Sequence, residues 1–139
     1  MKPALALLVL LLPFAALPAA GQQLPDIPTI AVPAGGATVT GQLAAGGRNV
    51  YYVKAASLQA LMVSIASPGN KAVFQVYGTG ALVSGTATSA VIDGQALTDA
   101  GPRDASMAWM GTIPQNGLYL IAVDSKDGPT DYTLTVQLQ

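Results

Sequence analysis

Tyr132-Thr133-Leu134-Thr135-Val136-Gln137-Leu138-Gln139 alternates large apolar and polar side chains without a break. Successive side chains of a strand point to opposite faces, so this stretch predicts a strand with one buried and one wet face. Working back from it, Asp127-Gly128-Pro129 supplies a turn and residues 118–123 a second apolar stretch. Pro114-Gln115-Asn116-Gly117 separates that stretch from residues 107–113, and Asn-Gly suits the positive φ of a tight hairpin. Further upstream, Phe74 and Val76 alternate with Val73, Gln75 and Tyr77, and Leu61, Val63 and Ile65 with Met62, Ser64 and Ala66. Residues 49–54 place Val50 and Tyr52 on one face and Tyr51 and Val53 on the other, so one of the two tyrosines is expected outside. Residues 38–43 form one more short strand. Past residue 36 no stretch of a dozen residues keeps a 3.6-residue apolar period. The expected fold is all-β, an antiparallel β-sandwich or jelly-roll-like domain of about eight short strands. Residues 78–106 read mostly as loop, with one short strand near residues 87–92.

The start of the chain has a different character. Residues 1–21, MKPALALLVLLLPFAALPAAG, run from Lys2 through an apolar core to small residues, the order of a secretory signal peptide. Pro3, Pro13 and Pro18 interrupt the run, which argues against a membrane-spanning helix of about 20 residues. Residues 22–36 hold Pro25, Pro28 and Pro33 and end in Gly35-Gly36, an extended leader. The β-sandwich domain is expected over residues 37–139. Its location is expected to be periplasmic or extracellular, with no membrane span after signal removal.

Composition removes whole classes of chemistry. The chain has no His and no Cys, and its seven acidic residues are all Asp. Histidine general bases, cysteine nucleophiles, disulfides and the common zinc sites are therefore excluded. A net charge of −1 gives no basic face for nucleic acid. No enzyme activity and no cofactor are expected.

The order of segments carries a resemblance. Gly41-Gln42-Leu43 is followed by Val50-Tyr51-Tyr52-Val53-Lys54-Ala55, Leu61-Met62-Val63-Ser64-Ile65 and Val73-Phe74-Gln75-Val76-Tyr77. Trp109-Met110-Gly111-Thr112-Ile113-Pro114, Asn116-Gly117-Leu118-Tyr119-Leu120-Ile121-Ala122-Val123 and Asp131-Tyr132-Thr133-Leu134-Thr135-Val136 complete it. This order resembles the bacterial pre-peptidase C-terminal domain family and its relatives, the periplasmic inhibitors of g-type lysozyme. The resemblance implies a sandwich without catalytic machinery, used as an accessory module in larger hydrolases or as a free-standing binding protein or inhibitor. In the inhibitor branch an arginine-rich loop precedes the final strand. Here the corresponding residues 124–130 hold Lys126 and no Arg.

Candidate binding residues follow from exposure and loop position. Tyr51 and Tyr52 offer an aromatic face, and Arg103, Asp124, Lys126 and Asp127 lie on expected loops. Asp124, Asp127 and Asp131 surround one turn and form a weak calcium candidate; ordinary turn aspartates that bond their own backbone are the stronger reading. Trp109, beside Met107 and Met110, is expected in the core, and Tyr119 is expected buried with its hydroxyl bonded to a loop. Two functional readings stand. One is an exported non-catalytic binding module for envelope glycan or another exported protein. The alternative is an inhibitor of a peptidoglycan hydrolase, a g-type lysozyme.

Overall fold

The structure is a computed structural model and describes residues 26–139. The expected signal peptide lies outside the described residues, as does the beginning of the leader. The strands are β1 (Thr29–Ile30), β2 (Ala37–Leu43), β3 (Arg48–Ala55), β4 (Ala60–Ala66), β5 (Ala72–Tyr77), β6 (Leu82–Ser84), β7 (Val91–Asp93), β8 (Ala108–Thr112), β9 (Gly117–Ser125) and β10 (Thr130–Leu138). A short 3-10 turn spans Pro68–Asn70.

Two four-stranded sheets face each other. The front sheet has the order β1-β3-β9-β5, and the back sheet β2-β10-β4-β8. Every pairing within them is antiparallel except β1 with β3. Between the sheets lies the expected all-β core: Val53, Leu61, Phe74, Ile113, Tyr119, Ile121 and Leu134 are all fully buried. β10 buries Tyr132, Leu134 and Val136 and turns Thr133 and Thr135 outward, as its alternation predicts.

The strand count departs from about eight in two places. β1 lies within the Pro-rich stretch, where Ile27 and Ile30 are buried and Tyr52 N–H donates to Pro28 O at 2.9 Å. The second place is the 78–106 segment, where β6 and β7 form a separate hairpin. Its Val83 and Ile92 pack over Val50, Leu120 and Ala122, a second apolar cluster on the outer side of the front sheet. β9 is thereby buried on both faces, which explains why residues 119–123 form an unbroken apolar run.

Asn116-Gly117 closes no hairpin. It carries the chain from β8 in the back sheet to β9 in the front sheet. Asn116 instead accepts Ser57 N–H on its Oδ1 at 2.8 Å, joining two turns. The turn at residues 127–129 likewise changes sheets. The sandwich therefore has a bottom end built from residues 33–36, 56–59 and 113–117, and a top end built from residues 44–47, 67–71 and 126–129.

Candidate functional site

The top end gathers Arg48, Lys71, Asp124, Lys126, Asp127 and Asp131 in or beside its loops. Register places Arg48 directly opposite Asp124 on β3 and β9. Arg48 Nε and Nη2 donate to the two Asp124 oxygens at 2.6 and 2.8 Å, a bidentate fork. Gln75 Nε2 donates to Asp124 at 2.6 Å, Tyr77 O–H to Gln75 Oε1 at 2.8 Å, and Arg48 Nη1 to Ala90 O at 3.2 Å. The bond to Asp124 raises the Arg48 pKa above its ordinary value, and desolvation raises that of Tyr77. The cluster ties the β6–β7 hairpin to the front sheet. Asp124 is thus occupied inside the molecule, and Arg48 and Gln75, which sequence reasoning passed over, are its partners.

The turn after β9 is braced from both sides. Ser125 O–H donates to Gly128 O, and Gly128 takes φ +70°, a conformation open to glycine. Lys126 N–H donates to Lys71 O at 2.7 Å and Ser125 N–H to Gly47 O at 3.3 Å, so all three top loops are linked. Lys126 and Asp127 stand exposed at the tip.

The three aspartates proposed for calcium are not brought together. Asp124 turns toward Gln75 on the front sheet, whereas Asp131 lies opposite Gln42 on the back sheet. Among the described residues no group of three acidic side chains is placed to hold a metal ion.

Neither tyrosine is a free platform. Tyr51 points between the sheets, and its hydroxyl meets that of Tyr132 at 2.5 Å; Asn49 Nδ2 donates to the same Tyr132 oxygen at 2.8 Å. Burial, reinforced by that bond, pushes the Tyr51 pKa well up. Tyr52 faces outward but is half-buried against the second cluster. One tyrosine thus lies on the outer face, as the alternation predicts, but the β6–β7 hairpin and the leader half-cover it. Arg103 is exposed on the segment running along β5. Trp109 packs partly buried against the core and donates Nε1–H to Thr98 O at 2.8 Å. Tyr119 is fully buried and donates its hydroxyl to Gln115 O at 2.6 Å, as expected.

A groove that sequence reasoning missed runs beside the top loops on the outer face of the back sheet. It holds about 550 Å³ and is lined by Thr40, Gln42, Ser67, Pro68, Asp131 and Thr133. A second hollow of about 450 Å³ shares Gln42, Pro68 and Asp131 and extends to Lys71 and Pro129. The strand-to-strand register brings Gln42 against Asp131 and Thr40 against Thr133. Only the alternation within each strand was visible in the sequence, not which strands would be neighbours. The groove offers a carboxylate, an amide and hydroxyls, suited to hydrogen bonding rather than proton transfer.

Neither a family model nor a curated protein matches the chain, so the pre-peptidase part of the resemblance gains no support. Solved structures do match. The chain is similar to the Aeromonas hydrophila PliG, a periplasmic inhibitor of g-type lysozyme, at 24% identity over 84% of this chain and 98% of that one, TM-score 0.59. It is similar to the Salmonella Typhimurium PliG at 18% identity over 82% and 99%, TM-score 0.54. A mutant of the Escherichia coli PliG matches at 17% identity over 81% and 96%, TM-score 0.54. The chain therefore shares the whole fold of these periplasmic lysozyme inhibitors.

Proposed function

We propose that this chain is an exported, non-catalytic inhibitor of a g-type lysozyme, and that its top end, residues 44–47, 67–71 and 126–129, is the surface that meets the enzyme. One observation carries the reading. The fold matches that of three solved inhibitors over at least 96% of their own length. The signal-like residues 1–21 fit export to the compartment where such inhibitors work. The absence of His, Cys and Glu from the sequence fits a protein that binds without turnover. The top loops suit a contact surface because they are cross-braced in advance, which lowers the ordering cost of binding. Without arginine in residues 124–130, the polar contacts here fall to Lys71, Lys126, Asp127 and Asp131.

The test is a titration of the purified chain against a g-type lysozyme acting on peptidoglycan. Saturable inhibition is expected, weakened by at least about tenfold in a Lys126→Ala/Asp127→Ala variant. Undiminished lysis at excess chain would defeat the reading. The groove along Gln42 and Asp131 favours a second reading, direct binding of envelope glycan. In that case the chain sediments with insoluble peptidoglycan, loses this in Asp131→Ala, and does not inhibit.

A further inference from the structure

The two sheets finish their edges differently. In the front sheet, the outer edge of β5 is taken up by residues 95–106: Phe74 N–H donates to Ser106 O, Val76 N–H to Ala100 O, and Leu97 N–H to Val76 O. The opposite edge ends in the two-residue β1, just after Pro28. In the back sheet β2 is an edge strand of seven residues, with no charge and no proline. Sheets ordinarily guard such an edge with Lys, Pro or a bulge.

The direction of the backbone groups of β2 follows from its neighbours. Ala60 and Gln139 exchange both N–H···O bonds, at 2.9 and 3.0 Å. Residues of β10 in step with Gln139, such as Thr133 and Thr135, therefore bond to β4. The alternate residues Tyr132, Leu134 and Val136 face β2, where they meet Gly41, Val39 and Ala37. Thr38, Thr40 and Gln42 must then aim their N–H and C=O groups at the free edge. The Gln42 carbonyl confirms this by accepting the Asn49 side-chain amide at 3.2 Å. Among the described residues, the backbone groups of Thr38 and Thr40 have no such cap. The free segment Thr38-Val39-Thr40 reads the same in both directions.

We propose that β2 is a self-association edge, through which two copies of this chain join antiparallel into one continuous sheet. A two-fold axis at Val39 sets Thr38 of one copy opposite Thr40 of the other. Each such pair exchanges both backbone bonds, giving four across the junction, and the two Val39 residues meet as the close, non-bonded pair with Cα atoms about 4.5 Å apart. The same surface serves both copies, as a two-fold interface requires. The capped Gln42 carbonyl fixes the register, because shifting the axis to Thr40 would pair Gln42 with Thr38 and demand that carbonyl. On the outer face the threonines of both copies line up as cross-strand pairs. The inference stands apart from lysozyme inhibition and does not depend on it.

The test combines sedimentation equilibrium with cross-linking. The chain has no Cys, so Val39→Cys introduces a single thiol. Mild oxidation of that variant is expected to trap a covalent dimer efficiently, whereas Thr38→Cys and Thr40→Cys do so poorly because neither faces itself. Thr40→Pro removes an outward N–H without touching a bond inside the monomer, and weakens association by at least about tenfold. A Thr38→Lys/Thr40→Lys variant sets like charges face to face and separates the copies, which decides the matter if the proline variant misfolds. Met110→Lys, on the other edge of the back sheet, leaves association unchanged. Monomeric behaviour of the unaltered chain up to about 1 mM overturns the proposal. So does association that survives the double lysine variant.

Discussion

Three side chains show how far residue type alone predicts role. Tyr119 behaves as its Gly-x-Tyr setting suggests. Trp109 is only half-buried, yet its ring packs on the core and its indole N–H is satisfied by Thr98 O. Trp109→Ala is expected to cost about 2–3 kcal/mol, below the usual range for a fully buried ring, measured by denaturant unfolding. Tyr51 provides a pH test. Its phenol is held neutral by burial and by Tyr132, so the folded pKa lies above the unfolded value of about 10. A group raised in this way contributes stability that is fully present below the unfolded pKa. That contribution is lost as pH rises through about 10 toward the folded value. The unaltered chain should therefore lose more stability between pH 8 and pH 11 than Tyr51→Phe does, read as the shift in urea midpoint. Equal losses in both proteins would show that Tyr51 is not the group responsible.

At the scale of elements, legibility follows how much each strand relies on its own sequence. β10 and β4 alternate cleanly because one face of each is wet, and their burial matches the pattern. β6 and β7 are three residues each and rich in small neighbours. Their pairing owes more to the apolar outer face of the front sheet than to local propensity, so the sequence showed one short strand near residues 87–92 but neither β6 nor the hairpin. The Asn-Gly turn was misread for a related reason. A turn sequence fixes a local bend but not whether the next strand returns to the same sheet. The candidate site was legible only in its loops. Lys126 and Asp127 are exposed at the tip as expected, while Asp124 is held inward by Arg48, 76 positions away in the sequence, a pairing that no local pattern reveals. The hairpin makes a separate prediction. It is held by Val83 and Ile92, by Val50 N–H to Ala87 O, and by Arg48 to Ala90 O. Ile92→Asp should release it while the sandwich stays folded. Amide exchange should quicken across residues 81–96 and leave β9 and β10 protected. Global loss of protection would mean the hairpin is integral to the sandwich.

Across the whole molecule, charge is distributed unevenly between the two ends. Arg48, Lys71, Asp124, Lys126, Asp127 and Asp131 lie in or beside the top loops. The bottom turns, residues 33–36, 56–59 and 113–117, carry no charged side chain. Arg48 and Asp124 neutralise each other, which leaves Lys71, Lys126, Asp127 and Asp131 to act on a partner. These charges are solvent-exposed or near the surface, so salt screens them over about 8 Å at physiological strength. If the top end meets a lysozyme, raising the salt from about 50 to 500 mM should weaken inhibition severalfold, mainly by slowing association. A Lys71→Ala/Lys126→Ala/Asp127→Ala variant should inhibit less and show a flatter salt response. A Leu58→Ser change at the bottom end should alter neither, although Leu58 is the most exposed large apolar residue among the described residues, at 81%. The measurement is the inhibition curve at each salt concentration for the three proteins. Inhibition that ignores salt and survives the triple change, but fails with Leu58→Ser, would move the contact to the opposite end of the sandwich.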